Sequence, residues 1–151
     1  MSNQIPASQP FVPVITGGDL GAYSLAREFH EAFGVKSAVV PTAENLVVGG
    51  SKITQLFPAG PMFDSARVVR HLDDVANMLQ QEGPRPLILS AGYDHLVRIM
   101  IEHDAELREM GYVFPNLTVE QLDQASLKEN FYALCEKHGI HYPRTAIYEC
   151  A

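Results

Sequence analysis

Cysteine is scarce: Cys135 and Cys150 are the only two in 151 residues. Two thiols supply neither a disulfide framework nor a metal-ligand set, and a reducing, cytoplasmic compartment is the default expectation. Positive charge is also scarce. Lysine and arginine number 11 against 18 acidic residues, for a net charge of −7. A chain with pI ≈ 5.2 has no general attraction for nucleic acid or an anionic membrane surface, so neither is an expected partner. No apolar run approaches the roughly 20 residues that a membrane span needs. Met1 to Pro10 lacks a basic flank and an apolar core, so no secretory signal is expected. Internal repeats and low-complexity segments are absent too. What remains is ordinary globular composition, 46% hydrophobic and 19% charged, which excludes wholesale disorder and suits one domain with a real core.

Residues 1–10 read as a loose, flexible tail, with two prolines and no periodicity. Phe11 to Thr16 then reads as a strand bounded by Gly17-Gly18. Pro13 cannot donate to a ladder and should sit at the strand's start or on an unpaired side. Asp19 is placed to cap a helix whose apolar positions are Leu25, Ala26, Phe29, Ala32 and Phe33, with Gly34 at its end. Val35 to Pro41 supplies a second strand. Ser51 to Phe57 alternates polar and apolar, as expected of a half-exposed strand near a sheet edge. Asp64 opens a helix with Val68, Leu72, Val75, Ala76 and Leu79 on one face. Pro86 to Ser90 is a short buried-type strand, followed by a helix carrying Leu96, Val97, Met100 and Leu107, and then by a brief strand at Tyr112 to Phe114. Thr118 with Gln121, and Ser126 with Glu129, have the spacing of two capping boxes. The second should open a helix with Leu127, Phe131, Leu134 and Cys135 on one face and Gly139 beyond its end. Thr145 to Tyr148 reads as one more strand. Alternation of this kind predicts an α/β, Rossmann-like parallel sheet with helices on both faces.

Such sheets bind ligands at the carboxyl ends of their strands. That rule selects two turns, Gly17-Gly18-Asp19 and Gly92-Tyr93-Asp94. Glycines let a backbone approach a ligand, and a helix N-terminus favours an anion. The match to the dinucleotide fingerprint fails because Asp19 stands at its second glycine, and no phosphate-binding Gly-x-x-x-x-Gly-Lys-Ser/Thr run occurs. A tight turn with a capping Asp19 is the competing explanation, as are a packing Tyr93 and a capping Asp94. The six histidines are scattered, and none has convincing zinc spacing. Cys135 reads as a small core residue without a nearby base. These residues describe a ligand-binding domain in which no catalytic set is visible.

Three stretches carry a family resemblance. Phe11 to Val35 resembles the opening strand, turn and helix of the ATP-grasp carboxylate–amine ligases, with Tyr23, Ala26-Arg27 and Glu31-Ala32 in register. Ser51-Lys52-Ile53 resembles their short strand after the second crossover. Phe131 to Thr145 resembles the helix and Pro-containing linker that lead into the ATP-grasp domain, a pattern shared with the large chain of carbamoyl-phosphate synthase. The chain most resembles the D-aspartate ligases of peptidoglycan precursor synthesis. The resemblance implies a pre-ATP-grasp domain over 11–125, with a linker helix and the first strand of a truncated ATP-grasp domain over 126–151. It implies small carboxylate and amine substrates joined through an acyl phosphate, with ATP and Mg²⁺ held by parts of the family's fold that this sequence does not contain. Gly17, Gly18, Asp19, Gly92, Tyr93 and Asp94 then become expected substrate-binding residues. The chain alone is expected to be an inactive fragment that binds no cofactor, with a homodimer left open. The alternative is a free-standing Rossmann-type nucleotide- or metabolite-binding domain, or a carbamoyl-phosphate-synthase-like protein.

Overall fold

A computed structural model describes residues 4–44, 46–81, 83–146 and 148. The chain divides into two compact units, Met1–Pro115 and Asn116–Ala151. The first unit is the α/β domain. Its strands β1 (Val12–Thr16), β2 (Ser37–Val40), β3 (Thr54–Leu56), β4 (Leu87–Ala91) and β5 (Tyr112–Val113) form one sheet in the order β3-β2-β1-β4-β5. Every pairing is parallel. The expected α/β, Rossmann-like sheet is therefore observed, with β3 at an edge. The ladder from β1 to β2 begins at Val14, paired with Ala38. Pro13 thus precedes that ladder, where its missing N–H costs no hydrogen bond.

All five residues of β1 are buried, as a central parallel strand covered on both faces requires. Alternation splits its side chains between two cores. Val12 and Val14, with Ala38 and Val40 of β2, join the larger core. That core packs against α3 (Ser65–Gln80), α4 (Asp94–Glu102) and α5 (Asp104–Glu109). Ile15 and Val39 face the other way, toward α1 (Leu20–Phe33) and the short α2 (Leu46–Gly49). Ala22 and Ala26 are the fully buried residues of α1, so this helix meets the sheet through small side chains. The apolar positions assigned to α3 are all buried, and Val69 joins them. The Tyr112 hydroxyl donates to Leu72 O at 2.8 Å, which ties β5 to α3.

Several expectations need correction. Phe33, placed on the core stripe of α1, is 63% exposed, and Ala32 is exposed as well. Phe33 lies against Phe11 with ring centroids 5.5 Å apart. The helix expected to run to Leu107 breaks at His103 (φ −111°, ψ 29°) into α4 and α5. Leu96, Ile99, Met100 and Leu107 are all buried across that break. Residues 4–10 are seated rather than loose. Ile5 belongs to the larger core. Gln9, 8% exposed, donates to Phe11 O and Lys36 O and accepts from Lys36 N. Arg85 donates to Pro6 O, Ala7 O and Leu79 O. These long-range partners could not be read from a segment that has no periodicity of its own.

In the second unit, α6 (Val119–Ser126) and α7 (Lys128–Lys137) are joined through Leu127 alone. The Thr118/Gln121 capping box forms in both directions. The Ser126/Glu129 box does not form. Ser126 closes α6, and Leu127 serves as N-cap of α7 without a side-chain bond. A hydroxyl in the last turn of one helix cannot also take the extended N-cap conformation of the next. Cys135 is buried, whereas Leu127 and Phe131 are exposed. The compact units divide at 115/116, and α6 packs with α7. Thr145, Ala146 and Tyr148 are not in a strand, and Ile147 lies outside the described residues.

Two measurements check this packing. Gln9→Ala should cost about 1–3 kcal/mol in urea denaturation and speed exchange of the Lys36 amide, since it leaves that partly buried donor unmatched. An unchanged midpoint and exchange rate would contradict the seating of residues 4–10. The second concerns Tyr112. Burial, and to a smaller degree the charge of Asp73, pushes its phenol well above the ordinary value of 10.0. The folded state therefore favours the neutral phenol. Its contribution is complete below that ordinary value and is lost as pH rises above it. Tyr112→Phe should show a shallower alkaline loss of stability than the parent chain.

Candidate functional site

The strand order reverses between β1 and β4, and such a reversal opens a crevice at the carboxyl ends of the strands. Register fixes its two rims at one level, because Thr16 pairs with Ala91. The chain leaving β1 enters α1, and the chain leaving β4 enters α4. These helices contribute to different cores. The two expected turns therefore emerge side by side.

Their backbones interlock. Gly92 N–H donates to Thr16 O at 2.8 Å, and Gly17 N–H donates to Val40 O at 2.9 Å. Gly17 has φ +115°, a conformation that L side chains rarely adopt. A Cβ there would lie 3.4 Å from the Tyr93 ring and 3.5 Å from Gly92 Cα. A Cβ on Gly92 would lie 3.0 Å from Thr16 O and 3.8 Å from Asp19 Oδ1. Gly17, Asp19, Gly92 and Tyr93 thus form one continuous surface, with Gly18 between the first two in the chain. Gly17 is explained by its positive φ and Gly92 by close approach to Thr16 O, quite apart from any ligand.

Asp19 is the N-cap of α1, and its carboxylate accepts from Ala22 N at 3.0 Å. The capping explanation holds for this residue. It partly offsets the positive end of the helix dipole at the cleft. Asp94 differs from its expected alternative role. Tyr93 is the N-cap of α4 and makes no side-chain cap bond, while Asp94 is an exposed residue of the first turn. Its charge there favours the helix without closing a backbone donor.

A cavity of about 290 Å³ borders the same edge, lined by Thr42, Met62, Phe63, Tyr93 and His95. Thr42 follows β2, and Met62 and Phe63 precede α3, so three strand-to-helix connections contribute. Sequence reading missed Thr42, Met62 and Phe63. It noted His95 only as one of six scattered histidines, and no spacing rule links these positions.

The residues at this edge do not fit a magnesium–nucleotide site. The turn and cavity-lining residues named above include no lysine or arginine, and the described residues contain no group of three or more His, Cys, Asp or Glu able to hold a metal ion. His71 is bound instead to Phe57 O at 3.1 Å, and His103 pairs with Glu106 at 3.2 Å.

Gly17→Ala should cost about 1–3 kcal/mol, because it puts a Cβ at a disfavoured φ, in van der Waals contact with the Tyr93 ring. Urea denaturation gives the cost, and the Tyr93 ring resonances should move. Wild-type stability and an unmoved Tyr93 would mean that the two turns are not held together in this way.

No protein-family model matches the chain. It is 26% identical over 153 aligned residues to the D-aspartate ligase of Enterococcus faecium (strain Aus0004). The match covers 97% of this chain and 34% of that protein, so the chain spans about a third of the length of the curated relative it matches. This likeness supports a distant relationship to a ligase of that kind, over a stretch that includes both turns of the cleft.

Proposed function

We propose that the chain acts as the N-terminal, substrate-side part of an ATP-dependent carboxylate–amine ligase, with a D-aspartate-ligase-like role in peptidoglycan precursor synthesis. The observation that carries this reading is the 26% identity to a D-aspartate ligase across nearly the whole chain. The switch-point crevice supports it by giving the substrate a place to bind. Gly17, Gly18, Asp19, Gly92, Tyr93 and Asp94 are proposed as binding residues, and none is assigned a catalytic role.

The chemistry divides accordingly. Forming an acyl phosphate from a carboxylate requires neutralisation of phosphate charge and in-line placement of the reactants. The cleft carries Asp19 and Asp94 and no cation, so it is unsuited to the first task. It can contribute to the second. Gly17 and Gly18 leave room beside the backbone, and the first turn of α4 offers donors to a carboxylate or amide. Weak binding by this chain alone is the consequence, since Asp19 already occupies the helix end of α1.

A second reading is a free-standing nucleotide- or metabolite-binding domain. The strand order favours it, because the same order occurs in dinucleotide-binding folds. Asp19 at the fingerprint's second glycine weighs against it.

Amide-resolved NMR separates the readings. D-aspartate should give small, saturable shifts at Gly17–Asp19 and Gly92–Asp94 of the 151-residue chain, and Gly18→Val should abolish them while the chain still folds. Shifts with ATP or NAD at these amides, and none with D-aspartate, would replace the ligase reading by the second. The chain alone should release no ADP from ATP above a buffer control, and measurable turnover would remove the proposed division of labour.

A further inference from the structure

The crevice accounts for Tyr93 but leaves its aromatic neighbours unexplained. Phe63 is 87% exposed and Tyr93 39% exposed, and both lie beside His95. The Phe63 and His95 rings have centroids 5.7 Å apart at 23°, and the Tyr93 and His95 rings are 5.8 Å apart at 14°. Planes this nearly parallel at such separations are slid past one another, so each ring keeps part of its face uncovered. The three rings form a stepped ledge, and the cavity of about 290 Å³ opens beside it.

We propose that this ledge of Phe63, His95 and Tyr93 binds the planar aromatic ring of a second substrate, one other than the D-aspartate proposed for the adjoining Gly17–Asp19 cleft. The inference deepens the substrate-side reading of this edge and rests on it for position. Several observations support a ring over other groups. The cavity lining contains no carboxylate, lysine or arginine, so it does not select a charged group. Met62 is buried at 3% exposure, and its thioether suits contact with an aromatic edge. Thr42 adds a hydroxyl able to donate to or accept from a ring substituent. The volume lies at the small end for ligand pockets, which suits one ring system rather than a whole ligand. Tyr93 belongs to both the ledge and the cleft, so two substrates held there would lie side by side.

The shared chemistry is a flat π-face, which a nucleobase and an aromatic side chain both provide. Uridine, adenosine and N-acetylphenylalanine amide are therefore titrated separately into the 151-residue chain, with cyclohexanol as a non-aromatic ring. At least one aromatic probe should give saturable upfield ring shifts at Phe63, His95 and Tyr93, and cyclohexanol should not. Phe63→Leu, a change at an exposed position that keeps an apolar side chain, should weaken that binding about tenfold. Response to nucleosides alone, or to the amide alone, identifies the source of the ring. The proposal is overturned if no aromatic probe saturates, if cyclohexanol binds equally well, or if Phe63→Leu binds like the parent. D-aspartate serves as the independent probe of the cleft. Ring binding without a D-aspartate response would remove the ligase reading and leave the ledge standing, and the converse would remove only the ledge.

Discussion

The parallel ladder between β1 and β4 is the constraint on which the site depends. It ends two strands at the same level, with Thr16 beside Ala91, and it sits where the strand order reverses. The chain beyond each strand must then turn toward a different face of the sheet. At that divergence one turn must begin with a positive φ and the other must pass close to Thr16 O. Gly17 and Gly92 meet these requirements, and their contact sets the position of Tyr93. The glycines are therefore needed by the sheet before they are useful to a ligand.

Electrostatics gives this edge its character. Phosphate-binding turns on similar sheets combine a free helix N-terminus with glycines. Here Asp19 turns its carboxylate onto the first turn of α1, and Asp94 adds a second negative charge. The edge can orient a substrate by shape, by the backbone donors of α4 and by stacking, but it is poorly suited to gathering phosphate charge. The aromatic ledge is consistent with that balance, because ring stacking needs no charge and tolerates acidic neighbours.

Much of the fold was legible because hydrophobic periodicity reports directly on burial. The stripe of α3 and the sheet's central strands follow from it, as do the helix starts at Asp19, Asp64 and Thr118, where a short polar side chain precedes an apolar run. The failures share a cause. Phe33 fits the helical period of α1 but lies near the end of that helix, against Phe11, where little covers it. Ser126 has correct capping-box spacing, yet the one-residue junction at Leu127 keeps it inside α6. Ile5 and Gln9 have no pattern at all, and their burial comes from partners up to 50 residues away.

The sequence by itself determined the alternation of strands and helices, the two turns where a ligand could approach, and their glycine and aspartate content. These are local properties, set by backbone conformational preference and by the spacing of apolar side chains. The tertiary structure alone decided that the two turns touch and that Phe63 and His95 join Tyr93 in one ledge. Those outcomes depend on strand order and register, which bring together residues 30 or more positions apart. No rule of local spacing encodes such neighbours, because their proximity arises only when the sheet has formed.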